Sequence, residues 1–279
     1  EARLDAQTPR SLAELAVAFP VQVLDPDAHK LIEECMILAN VAAARQLKAA
    51  RVGGLYRVHA VPDEKKLDQL LTQLTAIGVD ATLPEEVEPR DLRKITERAA
   101  HSIDLPFIES LVVRSMPQAL YQPVNIGHFG LALTEYAHFT SPIRRYADLL
   151  VHRAIRSLIR SKKKLSAVQR VPGASVLDQQ SIYPYELGRL AETGEHLSVT
   201  ERRADEATRD VVNWLKCEYL MDHVGEQYAG VVSAVTGFGL FVMLDDLYVE
   251  GLIHVTGLPK DYYYHEASHH RMVGERTGR

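Results

Sequence analysis

The chain has 279 residues, of which 46% are hydrophobic and 25% charged, with a formal net charge of −5 and two cysteines. That is the composition of an ordinary globular protein, and two cysteines far apart in sequence exclude a disulfide framework and a zinc site, as suits a reducing cytoplasm. No apolar run reaches transmembrane length, because the longest candidates are broken by Glu33, Glu34 and Asn40.

Residues 1–26 give an irregular signal. An apolar stretch from Ala13 to Val23 leads to Asp25-Pro26-Asp27, where Asp27 is placed as a helix N-cap. No charged-then-apolar leader is visible at the N-terminus. Ala28 to about Leu47 is expected to be a helix that is apolar on nearly every face and therefore buried. Glu33, Glu34 and Asn40 are the anomalies in it, since buried carboxylates need partners or a job; Glu33 and Asn40 are seven apart and share a face. Gly54–His59 reads as a strand ending at Pro62. Lys65–Ile77 is an amphipathic helix, with Leu67, Leu70, Leu71, Leu74 and Ile77 on one stripe and Gly78 as its stop. Two further helices follow, one after Pro89 and one from about Pro106 to Ser115, and all three read as scaffold.

Gly127–Leu133 reads as a strand with small residues where backbones approach. A helix with Leu149, Leu150, His152, Arg153 and Ile155 comes next. From Arg144 to Lys164 the chain carries Arg144, Arg145, Arg153, Arg156, Arg160, Lys162, Lys163 and Lys164 against the single acid Asp148. The overall charge argues against a bulk electrostatic nucleic-acid binder, but this stretch is either a polyanion-facing surface or a solvated helix face with a basic loop. Residues 171–182 are a loop, and a helix begins near Tyr183. Ser198-Val-Thr-Glu201 has the form of a capping box for a long helix to about Asp222, with Ala204, Ala207, Val211 and Trp214 on one stripe and Gly225 as the break.

Beyond the break the period changes to two. Tyr228–Val235, Leu240–Leu244 and Tyr248–Ile253 read as strands joined by Thr236-Gly-Phe-Gly239 and the Asp245-Asp246 turn. The boundary is drawn there: a helix-rich domain over 1–223 and a small β domain over 224–279.

Two blocks resemble a known family. His138-Phe-Thr-Ser-Pro-Ile-Arg-Arg-Tyr-Ala-Asp-Leu-Leu-Val-His-Arg153 resembles the signature of the ribonuclease R / ribonuclease II catalytic domain, and Leu31-Ile-Glu-Glu-Cys-Met-Ile-Leu-Ala-Asn40 resembles its buried helix. Leu55–His59, Gly127–Leu131 and Glu201–Val211 agree, and the last, with Trp214–Cys217, points to the ribonuclease R branch. The tail from Gly225 resembles an S-one RNA-binding domain, an OB-fold barrel, through Gly230-Val-Val, Gly237-Phe-Gly-Leu-Phe-Val242 and Gly251-Leu-Ile-His254. The implied fold is α+β: the helix-rich C-terminal part of a ribonuclease II-type catalytic domain, then an incomplete OB barrel that ends before a final strand.

The resemblance implies a 3′→5′ exoribonuclease that hydrolyses single-stranded RNA to 5′-nucleoside monophosphates with Mg²⁺. Such chemistry needs carboxylates for metals and permanent positive charge for phosphate. Arg144 sits where the family places its catalytic arginine, in a turn shaped by Pro142 with Thr140 and Ser141; the competing assignment is an ion pair with Asp148 one helical turn on. Arg145 is open between solvent and phosphate, and Tyr146 adjoins it as a substrate contact. Glu33 or Glu34 would orient the terminal nucleotide beside Asn40, the alternative being a buried structural ion pair. Phe238, Phe241 and His254 would form a base-stacking face, or else barrel core. Glu206 with Arg209 is assigned as a surface pair, and His138 and His152 are accessory.

The sequence departs from the family in more than its short barrel, since the cold-shock domains that would precede the catalytic domain are missing as well. The implied metal cluster, spaced Asp-x5-Asp-x-Asp-Asp, is absent; its aspartates would belong upstream of residue 1, so no metal ligand is assigned here. The chain is expected to be a fragment that lacks hydrolytic activity alone. The competing hypothesis is a non-catalytic RNA-binding scaffold on the same fold, and the reading frame upstream of Glu1 discriminates the two. A metalloenzyme built on His265, His269 and His270 lacks supporting carboxylates. A monomer is expected, because the two cores are taken to absorb every apolar stripe.

Overall fold

The computed structural model describes residues 26–102, 105–160, 173, 175–245, 247–266 and 271–278. The stretch Ala13–Val23, Asp25, Lys162–Lys164, Asp246, His269 and His270 lie outside the described residues. In chain order the elements are α1 (Pro26–Ala50), β1 (Tyr56–Val58), α2 (Glu64–Ala76), α3 (Pro89–Arg98), α4 (Leu105–Ser115), β2 (Leu120–Gln122), a 3-10 turn (Phe129–Leu131), α5 (Tyr146–Arg160), α6 (Gln179–Ile182), α7 (Leu187–Met221), β3 (Gly230–Thr236), β4 (Gly239–Leu244), β5 (Glu250–His254), a 3-10 turn (Val255–Gly257), β6 (Tyr263–Glu266) and β7 (Arg271–Gly274). Helices predominate and every sheet is antiparallel, so the fold class is α+β as expected. Among the described residues no helix is long and apolar enough to cross a membrane. By internal contacts the chain divides into two units, residues 1–52 with 136–184, and residues 53–135 with 185–279.

In the first unit α1 packs on α5. The face of α1 that is buried is short: Asn40, Val41, Ala43, Ala44 and Leu47. It meets a matching stripe on α5 of Ala147, Leu150, Val151, Ala154 and Leu158, spaced three and four apart as one helix face requires. The first half of α1 is not buried. Leu31, Ile32 and Leu38 are 64%, 59% and 67% exposed, and Glu33 and Glu34 are exposed with them. Asp27 lies inside the first turn of α1 rather than capping it. A helix apolar on all faces was expected to be buried throughout, but burial needs a neighbour at each face, and the described residues supply one only from Asn40 onward.

In the second unit β1 and β2 pair, with Arg57 opposite Tyr121. Strand β2 escaped the sequence reading because three residues are too few to show a period. Helices α2, α3 and α4 converge on a core of Leu67, Leu70, Leu74, Leu92, Ile95, Ile108, Leu111 and Phe129. Local signals start and stop them. The Asp63 carboxylate accepts the Lys65 N–H at 2.9 Å, Pro89 opens α3 between Glu88 and Asp91 in a capping box, and Gly78 follows α2 at φ +79°.

Gly127–Leu133 is not a strand. It is a tight 3-10 turn joined to its surroundings by isolated bridges from His128 to His59 and to Leu133. Gly127 adopts φ +82°, where a Cβ would meet the Leu133 carbonyl at 3.1 Å, so its small residues serve turning rather than pairing.

Helix α7 runs unbroken for 35 residues, and Ser198 is buried inside it rather than capping it. The Ser198 hydroxyl donates to the Gly194 carbonyl at 2.8 Å and accepts the Tyr121 N–H at 3.0 Å. A Cβ on Gly194 would collide with the Tyr121 carbonyl, so glycine lets α7 lie directly on β2. Farther along, Val211 and Trp214 are 58% and 62% exposed. The Ala204–Trp214 stripe therefore meets no core, and the ground on which a monomer was expected is not met.

The tail is a meander of β3, β4 and β5, with a bulge between Val232 and Ala234. Gly239 lets β4 turn tightly against β5, where a side chain would strike the Ile253 carbonyl. The expectation that the segment from Tyr262 ends before a convincing final strand is corrected: β6 and β7 pair from Tyr263↔Gly274 to Glu266↔Arg271, and β7 contacts β3. Their mixture of tyrosine, histidine and arginine hides the alternation that marks a strand.

Candidate functional site

The loop from Tyr136 to Arg145, in the first unit, is held from several sides. Asn40, buried on α1, donates to the Tyr136 hydroxyl at 3.0 Å, and its carbonyl accepts the Phe139 and Thr140 N–H groups at 2.8 and 3.2 Å. From α5, the His152 Nε2 lies 2.8 Å from the Phe139 carbonyl, and its ring stacks on Phe139 at 4.1 Å. His138 packs edge-on against Tyr136. Asp148, also on α5, accepts the Ser141 N–H and the Arg145 Nη2, both at 2.8 Å.

These contacts sort the expected site residues. The ion pair with Asp148 belongs to Arg145 and not to Arg144, which corrects the competing assignment for Arg144. Arg145 is thereby tied inward. Arg144 is exposed, and no side-chain partner for it lies among the described residues. Its neighbour Ile143 is fully exposed, so residues 143–144 form the tip of a braced loop. Asn40 is a strut: its amide is spent on the loop. Thr140 is half-buried with a hydroxyl oxygen that has no partner among the described residues, Ser141 contributes its backbone, and Tyr146 is 43% exposed at the start of α5. Glu33 and Glu34 stand on the exposed half of α1, so the buried structural ion pair considered for them is not formed.

In the second unit, Phe238 is half exposed at the β3–β4 turn, and its ring meets that of Phe241 edge-to-face at 6.1 Å. His254 is exposed and pairs through the backbone with Gly239, its Nδ1 lying 2.9 Å from the Thr256 hydroxyl. Phe241 also lines a cavity of about 600 Å³ with Phe107 and Arg114 of α4 and Val231 and Ser233 of β3. Glu206 and Arg209 are exposed and make no pair with each other, contrary to the surface pair assigned to them.

Two clusters went unnoticed in the sequence. The Arg57 guanidinium lies over the Tyr121 ring at 4.6 Å and bonds Glu201 at 2.6 Å, joining β1 to α7; the clue available was a charged residue in the centre of an apolar strand. His59 is buried, its Nδ1 accepts the Gly130 N–H at 3.0 Å, and its ring stacks on His128 at 5.2 Å. Burial, reinforced by His59 and Arg57, pushes the His128 imidazole from 6.5 down to about 4. A base depressed in the folded state stabilises the fold fully above its unfolded value, and that contribution is lost as pH falls through the folded one. Urea midpoints should therefore decline as pH falls from 6.5 toward 4. His128→Asn, which keeps an acceptor near the Leu131 N–H, should flatten that decline.

Among the described residues no three His, Cys, Asp or Glu side chains lie together so as to hold a metal ion. The residues described do not fit a Mg²⁺ site.

The sequence matches the family model for the RNB domain over residues 7–161, and that for the S1 RNA binding domain over residues 222–277. The chain belongs to the ribonuclease R / ribonuclease II (RNB-domain) family. It is 45% identical to ribonuclease R of Escherichia coli over 252 residues, which are 90% of this chain and 30% of that protein. Ribonuclease R of Vibrio cholerae is 46% identical over 256 residues, again 30% of its length. The chain thus spans about a third of the curated relatives it matches. Among solved structures, Mycoplasma genitalium RNase R in complex with ribose methylated single-stranded RNA superposes with a TM-score of 0.77 at 24% identity. The match covers 92% of this chain and 38% of that one, and it shows the common fold.

Proposed function

We propose that the protein containing this chain is a cytoplasmic 3′→5′ exoribonuclease that hydrolyses single-stranded RNA to 5′-nucleoside monophosphates, with Mg²⁺ held by residues other than those described here. The observation that carries this reading is the braced Tyr136–Arg145 loop with Arg144, which has no side-chain partner among the described residues, at its tip, in a chain of this family. A guanidinium held by a rigid loop can grip phosphate oxygens through two parallel donors without reorganising. Glu33 and Glu34, exposed on α1, are free to meet the ribose or base of the terminal nucleotide. Residues 1–223 are the catalytic portion in this reading, and residues 224–279 guide the RNA.

Phe238, Phe241 and His254 serve as the stacking face of the tail. Stacking is worth about 1–3 kcal/mol per base, so Phe238→Ala should weaken single-stranded RNA binding by this chain roughly 5- to 150-fold, measured by fluorescence anisotropy. The whole reading is tested by giving the full-length protein a 5′-labelled single-stranded RNA. Progressive shortening from the 3′ end with release of mononucleotides supports it. Tight binding without any shortening would instead support the non-catalytic scaffold.

A further inference from the structure

Two arginines stand side by side in the loop, and the structure treats them differently. We propose that Asp148 is a positioning residue: it commits Arg145 to the framework and so sets the direction in which Arg144 is presented. The inference rests on the nuclease reading above.

Asp148 is wholly buried in the first turn of α5, where the helix N-terminus favours a carboxylate. One of its oxygens, Oδ1, takes both the Ser141 N–H and the Arg145 Nη2, each at 2.8 Å. A single atom therefore ties the two ends of the turn whose tip carries Ile143 and Arg144. The backbone closes the same turn, since the Arg144 and Arg145 N–H groups reach the Ser141 carbonyl at 3.3 and 3.0 Å. With both ends fixed, the direction of residues 143–144 is limited to what their own dihedrals allow.

A buried ion pair is a poor device for stability alone, because desolvating the charges offsets their attraction. This one is also incompletely satisfied. The second carboxylate oxygen of Asp148, the Nε of Arg145 and the hydroxyl of Thr140 are all buried without a partner among the described residues. What the carboxylate adds is direction: it selects Arg145 over Arg144 and leaves Arg144 without a side-chain partner among the described residues.

The test uses the full-length protein, single-turnover hydrolysis of a labelled single-stranded RNA, and the variants Arg144→Ala, Asp148→Asn and their combination. Arg144→Ala should slow the chemical step by about a hundredfold or more. Asp148→Asn, which retains an acceptor for Ser141 but loses the charge facing Arg145, should slow it by about tenfold or more while RNA affinity stays within about threefold. In the Arg144→Ala background Asp148→Asn should cost less than about twofold further, since nothing remains to position. A merely structural carboxylate would lower the folded fraction, and hence the rate, by the same factor in both backgrounds.

If Asp148→Asn does not fold, Arg145→Lys replaces it. Lysine keeps the charge but loses the fork, and it should slow the reaction about three- to tenfold with the same non-additivity. Wild-type rates for Asp148→Asn beside a slow Arg144→Ala would overturn the positioning role alone. A wild-type rate for Arg144→Ala would overturn it together with the phosphate-binding reading of that arginine.

Discussion

Replacing Arg144 with alanine in the full-length protein is expected to lower the rate of RNA hydrolysis by about 10²–10³-fold, the usual cost of removing one preorganised donor aimed at developing charge. The fold should not notice. Arg144 is exposed at the tip of the loop and has no side-chain partner among the described residues, so its truncation should shift unfolding by no more than about 0.5 kcal/mol. RNA affinity should change much less than rate, because in the proposed reading the stacking face holds the rest of the strand. Arg144→Lys should recover only part of the loss, since a point charge replaces a bidentate fork. Single-turnover rates and urea midpoints, measured on the same preparations, check both halves; an unimpaired rate would remove Arg144 from the chemistry.

Asn40→Leu is expected to do the reverse, destabilising the first unit by about 2–5 kcal/mol. The side chain is 3% exposed, and leucine has nearly its shape but none of its polarity. Three groups would lose their hydrogen bond to Asn40 at once: the Tyr136 hydroxyl and the N–H groups of Phe139 and Thr140. Each buried group left unsatisfied costs about 1–3 kcal/mol, and rearrangement of the loop would relieve part of the sum. Urea unfolding of the chain, followed by circular dichroism, reads the loss. A change below about 0.5 kcal/mol would mean that the loop does not depend on α1.

The opposite expectations for these two residues follow from what each touches, and neither contrast is visible in the sequence. Seven positions of separation placed Glu33 and Asn40 on one helix face, yet Asn40 is buried and Glu33 is exposed. Adjacent arginines are indistinguishable as letters, and the carboxylate three residues on could reach either. The backbone turn at Ser141 brings Arg145 to it.

Local chemistry made much of the rest legible. The helix start after Pro89, the stop at Gly78, the leucine stripe of α2, the helix carrying Leu149 to Ile155 and the three strands from Gly230 to His254 all depend on interactions within a few residues, and these are encoded where they act. The failures share a cause. Ser198 has the pattern of a helix cap, but a partner 77 residues away, the Tyr121 N–H, uses its hydroxyl inside a continuous helix. Gly127–Leu133 has the composition of a strand, but no neighbouring strand pairs with it beyond isolated bridges. The apolar residues of α1 and α7 promised burial that only a packed neighbour could provide.

Sequence alone thus determined the type and approximate place of most helices and of three strands, that a helix-rich part precedes a β tail, and, through the motif at His138–Arg153, the family. Tertiary structure decided which polar residues are struts and which are available to a ligand. Asn40, Asp148 and His152 hold a loop, and Arg144 is left without a side-chain tie among the described residues. The reason is physical: a side chain's role is set by the partners that exhaust its hydrogen bonds and charge, and those partners are brought to it from distant parts of the chain by packing.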